Sequence, residues 1–195
     1  MNDPSLIISI LAFAVSAVTF YVNLLKRADL DLVVGDSMGF AREHDGVLLL
    51  MTKFTVINKG ALPGALVRML GSISTKDGSR KTNLLWNYFI EHKDVGKEGE
   101  TFIPWHTYAG PADVISLPGR ATVTKGIQLI TEDSFDLTEG DYVIEFVGLE
   151  GPKRRESRRV SLPVHVSSEA AQYLREECTA DPEGDFDNSL RLTWS

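Results

Sequence analysis

Cysteine is almost missing from this chain: among 195 residues only Cys178 carries a thiol, so no disulfide can form within one copy. A disulfide-stapled secreted scaffold is thereby excluded, and stability must come from a packed core. Catalytic signatures are missing too. There is no G-x-S-x-G elbow, no H-E-x-x-H pair and no phosphate-binding P-loop. His44, His92, His106 and His165 are scattered, without the short spacing or neighbouring cysteines of a metal site, and read as solvated or hydrogen-bonded imidazoles. Cys178 follows Glu176 and Glu177, whose charges disfavour a thiolate, so it is a poor nucleophile. Positive charge is in deficit: the net charge of -7 lacks the basic footprint of a nucleic-acid binder. No catalytic residue, cofactor or metal is expected, and no internal repeat or low-complexity tract is evident.

Long apolar runs are equally scarce, with one exception. Ser5 to Leu25 (SLIISILAFAVSAVTFYVNLL) contains no ionisable side chain except the tyrosine phenol, and Lys26 and Arg27 close it. At about 1.5 Å per residue the run reaches about 31 Å as a helix, close to the thickness of a bilayer's hydrocarbon core. A cleaved signal would carry a positive N-terminal region and a shorter apolar stretch. Here Asp3 is the only charge before the run, and Ala12-Phe13-Ala14 lies in its middle. A helix on a protein surface would show a polar face, and this one has none. Ser9, Ser16 and Thr19 can bond back to their own helix carbonyls, and Asn23 lies near the interface. Residues 1–27 are therefore expected to be a single transmembrane anchor. With both cations on its C-terminal flank, the rest of the chain should face the cytoplasm at the inner membrane.

Residues 28–195 have the size and composition of one globular domain. Leu30, Leu32 and Val34 alternate with Asp29, Asp31 and Val33, which predicts a strand. A loop is expected through Gly39 to Gly46, then a long central strand over Val47 to Ile57. Asn58-Lys59-Gly60-Ala61-Leu62-Pro63-Gly64 supplies turn residues, because Asn58 and Gly60 tolerate positive φ and Pro63 has no N–H for a ladder. Ala65 to Thr75 resumes with Val67, Met69 and Ile73 on one parity. Leu84 to Ile90 and Phe102 to Tyr108 are aromatic-rich strands expected to pair, and Val114 to Leu117 and Ala121 to Thr131 add strand material. Tyr142, Ile144 and Phe146 alternate inward and pair with Val160, Leu162, Val164 and Val166. Ser167 or Ser168 caps a short helix through Cys178. An acidic tail follows, in which Leu190-Arg191-Leu192-Thr193-Trp194 would suit addition to a sheet edge. Strands of this length without βαβ alternation predict an all-β sandwich over 28–167, followed by the short helix and tail over 168–195; an open barrel is the alternative.

FTVINKGALPGALVRMLGSIS, residues 54–74, and LTEGDYVIEF, residues 137–146, resemble blocks of the immunoglobulin-like β-sandwich domains of many bacterial membrane-anchored and envelope proteins. The resemblance implies a tyrosine corner at Tyr142, its hydroxyl bonding the preceding loop and its ring filling the core. The chain lacks the paired cysteines of antibody domains and has no Trp in the 65–75 strand, so the resemblance is to the broad class. It implies a fold and no activity.

Two groups of residues are candidate surfaces. Trp86, Trp105, Tyr108 and Trp194 could form a protein interface, and Trp86, Tyr88, Phe89, Trp105 and Tyr108 could instead fill the core or make a ligand platform. Lys153, Arg154, Arg155, Arg158 and Arg159 place five positive charges in seven residues, in the connection between the last two long strands. In an immunoglobulin-like topology that connection lies at the same end as the N-terminus, so these residues, with Lys26 and Arg27, are expected at the membrane surface. Asp133, Asp136, Glu139 and Asp141 do not match a calcium loop and read as a solvated turn. The expected function is a non-enzymatic, membrane-tethered interaction or assembly module serving a protein partner or copies of itself, with lipid around its span. The alternative is a membrane-anchored sensor for a small ligand or glycan.

Overall fold

The computed structural model describes residues 4–43, 45–93, 105–176 and 190–193, with the backbone alone at 92–93, 105–107 and 190–193. Helix α1 (Pro4–Phe20) continues into a π-helical turn, Tyr21–Leu25, and buries no side chain. It is apolar all round and without a polar face, and among the described residues it buries none of its side chains. The Ser9 hydroxyl donates to the Ser5 carbonyl (2.9 Å) and Thr19 to Val15 (2.8 Å), the back-bonds that let hydroxyls sit in an apolar helix.

Among the described residues eleven antiparallel strands follow: β1 (Leu30–Arg42), β2 (Val47–Asn58), β3 (Gly64–Thr75), β4 (Lys81–Lys93), β5 (Trp105–Pro111), β6 (Ile115–Leu117), β7 (Thr122–Ser134), β8 (Gly140–Glu150), β9 (Arg155–Glu156), β10 (Val160–Val166) and β11 (Leu190–Thr193). Helix α2 (Ser168–Glu176) lies between the last two. All strands belong to one sheet, in the order β10-β8-β3-β4-β7-β2-β1-β11, with β5 on β4, β6 on β3 and β9 on β8. The sheet curls into a half-barrel. Its curvature shows in Phe54 of β2 and Phe146 of β8, separated by three intervening strands in the order, whose rings meet edge to face with centroids 4.9 Å apart. Each is fully buried, a burial worth about 1.5–3 kcal/mol per side chain.

Alternation directs this core. Leu48, Leu50, Phe54 and Val56 from β2, Ile127 and Leu129 from β7, and Tyr142, Ile144 and Phe146 from β8 all point inward, and Ala171 and Leu174 of α2 join them. Ala41, Leu49, Met51 and Ile90 form a second buried cluster. Leu49 and Met51 alternate with the inward residues of β2, so this cluster lies on the sheet's other face. Burial on both faces explains the unbroken apolar run of β2.

Several expectations are revised. The loop expected from Gly39 is strand as far as Arg42, and the reversal is confined to residues 43–46, where Gly46 takes φ +87°. Val67 is only half-buried and Leu66 takes the core position, because a bulge between Leu66 and Arg68 shifts the parity ahead of Met69. Ser167 is the cap of α2, its hydroxyl accepting from the Ala170 N–H at 3.1 Å. The expected pairing of the two aromatic strands is present as β4 with β5, and Leu190 to Thr193 pairs with Phe40 to Ser37 of β1. The acidic tail over 177–189 lies outside the described residues.

Candidate functional site

The turns at one end of the half-barrel gather around the exit of α1. Asn58, 1% exposed, is their centre. Its amide donates to the carbonyls of Leu62 (2.9 Å) and Pro118 (3.0 Å), and its Oδ1 accepts from the N–H groups of Gly60 (2.9 Å) and Asp29 (3.3 Å). One side chain thus joins three segments remote in sequence. The Lys26 carbonyl accepts from Ala61 (2.8 Å) and Leu62 (3.0 Å), which seats the helix exit on the 59–63 turn. Approach is so close that a Cβ on Gly60 would collide with the Arg27 carbonyl, and one on Gly119 with that of Ala61. Arg120 sits at φ +58°, with its N–H donating to the Gly60 carbonyl at 2.9 Å. From there its guanidinium reaches the Val22 carbonyl (3.0 Å) and the Asn23 Oδ1 (2.6 Å) at the end of the apolar helix.

The basic connection between β8 and β10 lies at this same end. Gly151, at φ +63°, donates to the Ala65 carbonyl at 2.9 Å, and Ser157 exchanges two bonds with Gly148 at 2.8 and 3.0 Å. Arg154, at φ +49°, stands at the tip. The cations divide into two sets. Lys26 pairs with Asp29 (3.5 Å), Arg158 with Asp31 (4.0 Å), and Arg159 with Glu145 (3.7 Å) and Glu156 (4.0 Å). Among the described residues, Arg27, Lys153, Arg154 and Arg155 make no such salt bridge, and all four are exposed. Asp31 is bound most tightly by Lys59, at 2.6 Å. That hydrogen bond holds its carboxyl below the usual range, against the opposing effect of burial.

Between the helix exit and this hairpin lies a cavity of about 740 Å³. Its walls are mostly apolar, with Ala28, Pro63, Leu117, Pro118 and Pro152 among them, and Arg27 and Arg155 stand on it as cations. Glu150 is its one acidic side chain, and burial pushes that carboxyl up while Arg155 draws it back.

The aromatic candidates do not form one surface. Trp86 is half-buried against the main core, stacked edge to face on Phe89 at 5.2 Å, and its indole nitrogen is buried without a partner. Tyr108 is 42% exposed and packs on Tyr88 at 4.8 Å. The side chain of Trp105 and the whole of Trp194 lie outside the described residues, as do His44, Cys178 and the side chains of His92 and His106. The acidic cluster is dispersed: Asp136 faces Arg42 (3.6 Å) and Arg175 (3.5 Å), whereas Asp141 bonds His165 (2.8 Å) and Lys76 (3.5 Å). Asn58 and Arg120 read in the sequence only as turn residues. Their flanking Gly60 and Gly119 were the available signal for a close junction.

No family model matches the chain, and no curated protein matches it. Solved structures do. A Bacillus subtilis protein put forward as a lipoprotein matches at 10% identity and TM-score 0.36, over 73% of this chain and 38% of its own. Spo0M, a sporulation control protein of the same bacterium, matches at 9% identity and TM-score 0.35, over 75% of this chain and 55% of its own. Each match thus spans less than two thirds of the neighbour's length. Both neighbours are bacterial and mostly β.

Proposed function

We propose that the chain is a non-enzymatic, single-pass membrane protein whose β domain, of the broad immunoglobulin-like class, is presented at the cytoplasmic face of the inner membrane to a protein partner or to further copies of itself. The observation that carries the reading is the helix over Pro4–Leu25: 22 residues, strongly apolar, with no buried residue. So much exposed apolar surface is costly in water and stable in a bilayer. The immunoglobulin-like assignment is supported by Tyr142, whose ring is 2% exposed and whose hydroxyl bonds the Thr138 backbone in the manner of a tyrosine corner. The cytoplasmic orientation is supported by Lys26 and Arg27 on the C-terminal flank, with the basic hairpin at the same end of the domain.

A charge near the middle of a span costs about 2.5–3.5 kcal/mol on insertion scales. Ala14→Arg should therefore shift the full chain from the carbonate-resistant membrane fraction toward the soluble or aggregated one. The single thiol, Cys178, should react with an impermeant maleimide in inverted vesicles and, in intact cells, only after lysis. Extraction of the unaltered chain by carbonate would refute the anchor, and labelling in intact cells would reverse the orientation.

A further inference from the structure

The cavity at the helix exit sets two cations against mostly apolar walls. Arg27 lies two residues beyond the apolar helix, at the depth where a bilayer's headgroups begin. Its backbone is fixed by the close approach of Gly60, and Arg155 reaches the same cavity from the strand that follows the hairpin tip. Lys26, Arg158 and Arg159 are neutralised by carboxylates, but neither Arg27 nor Arg155 is paired in that way among the described residues. Two guanidiniums flank a space whose other walls are mostly proline, alanine and leucine, with the Glu150 carboxyl acting on Arg155. The prolines have fixed φ, so that wall is pre-formed. Its volume and its balance of apolar wall to few polar groups are those of small-molecule sites.

We propose that this cavity binds an anionic phospholipid from the bilayer around the helix, with the headgroup phosphate between Arg27 and Arg155 and the glycerol and upper acyl region against Pro63, Leu117 and Pro152. The inference rests on the membrane-anchor reading. Guanidinium groups suit phosphate because their donors form a planar fork. Lys153 and Arg154, on the adjoining tip, add positive field that favours an anionic headgroup over a zwitterionic one. Glu150 is the opposing charge in the site, so its walls carry two guanidiniums against one carboxylate and remain net positive. Occupancy would fix the tilt of the domain against the membrane, because the lipid would bridge the helix exit and the β8–β10 hairpin.

The test is photocrosslinking of the full-length chain in phosphatidylcholine nanodiscs containing a small fraction of phosphatidylglycerol with a diazirine in its acyl chain. Adducts are expected on the peptides around Pro63 and Leu117. They should fall about fivefold in Arg155→Gln, the loss of about 1 kcal/mol for one cation at the headgroups. A comparable fall is expected in Ser116→Trp, which fills the cavity from an exposed position and leaves every charge in place. Unchanged labelling in both variants, with the chain still co-purifying with nanodiscs, overturns the lipid site and leaves the anchor standing. A chain that does not co-purify overturns both. A fall in Arg155→Gln alone puts the lipid on the hairpin outside the cavity, and a fall in Ser116→Trp alone removes Arg155 from the site. Equal labelling by a phosphatidylcholine probe removes the anionic preference, and displacement by millimolar inorganic phosphate assigns the site to a free anion. Each of these four results overturns the proposal.

Discussion

The guanidinium of Arg120 donates to the carbonyl of Val22 at 3.0 Å, so a residue in the turn before β7 holds the last turn of the apolar helix. The same group bonds Asn23 Oδ1 at 2.6 Å, and the Lys26 carbonyl is taken by two amides of the 59–63 turn. The helix is thus joined to the domain by a braced connection.

Arg120 bears a conformational cost for that role, since φ +58° disfavours a residue with a Cβ by about 1–2 kcal/mol. Arg120→Ala keeps the cost and loses the brace; Arg120→Gly loses both. Trypsin should cut at Lys26 and Arg27 several-fold faster in either variant than in the parent, while the Gly variant should unfold at higher denaturant than the Ala variant, by about 1 kcal/mol. Parental cleavage rates in both would show that the turn contacts alone hold the junction.

Tyr142 donates to the Thr138 carbonyl and accepts from its N–H, both at 3.0 Å. Tyr142→Phe preserves the packed ring and strands both backbone groups in a partly buried corner. The expected loss is about 1–3 kcal/mol in equilibrium denaturation with an unchanged m-value. A loss below a few tenths would mean that water replaces the hydroxyl at no cost.

β11 covers the edge of β1 from Ser37 to Phe40. Removing residues 187–195 exposes that edge, so the shortened chain should unfold at lower denaturant and associate more strongly with rising concentration, read by light scattering. If both properties match those of the full chain, the pairing contributes nothing to the fold.

Asp31 gives the pH dependence. Its folded carboxyl lies below the ordinary value of 3.8, chiefly through Lys59. The stabilisation is complete above that ordinary value and is lost as pH falls through the lowered one. Asp31→Asn should be less stable than the parent at pH 6, by no more than about 1 kcal/mol because Lys59 is half exposed. The gap should close in acid below the ordinary carboxylate range. A gap that persists there would mean the amide disturbs packing rather than removing a charge.

Local chemistry made much of this chain legible. The apolar helix, the turns at Gly60 and Gly119, the inward set Tyr142, Ile144 and Phe146, the corner at Tyr142 and the pairing of the last two long strands each follow from residues within about 26 positions of one another, because helix period, strand period and turn preference act locally. Val67 was misplaced because a bulge costs one residue of register and leaves no composition signal. Only the tertiary structure decided that the strands form one curled sheet, that Asn58 binds Pro118, that Arg120 reaches back to Val22, and that Arg27 and Arg155 share a cavity. Those relationships join segments about 60 to 130 residues apart, and they exist because sheet curvature brings those segments' ends together, a property of the whole set of strand pairings and of no single stretch.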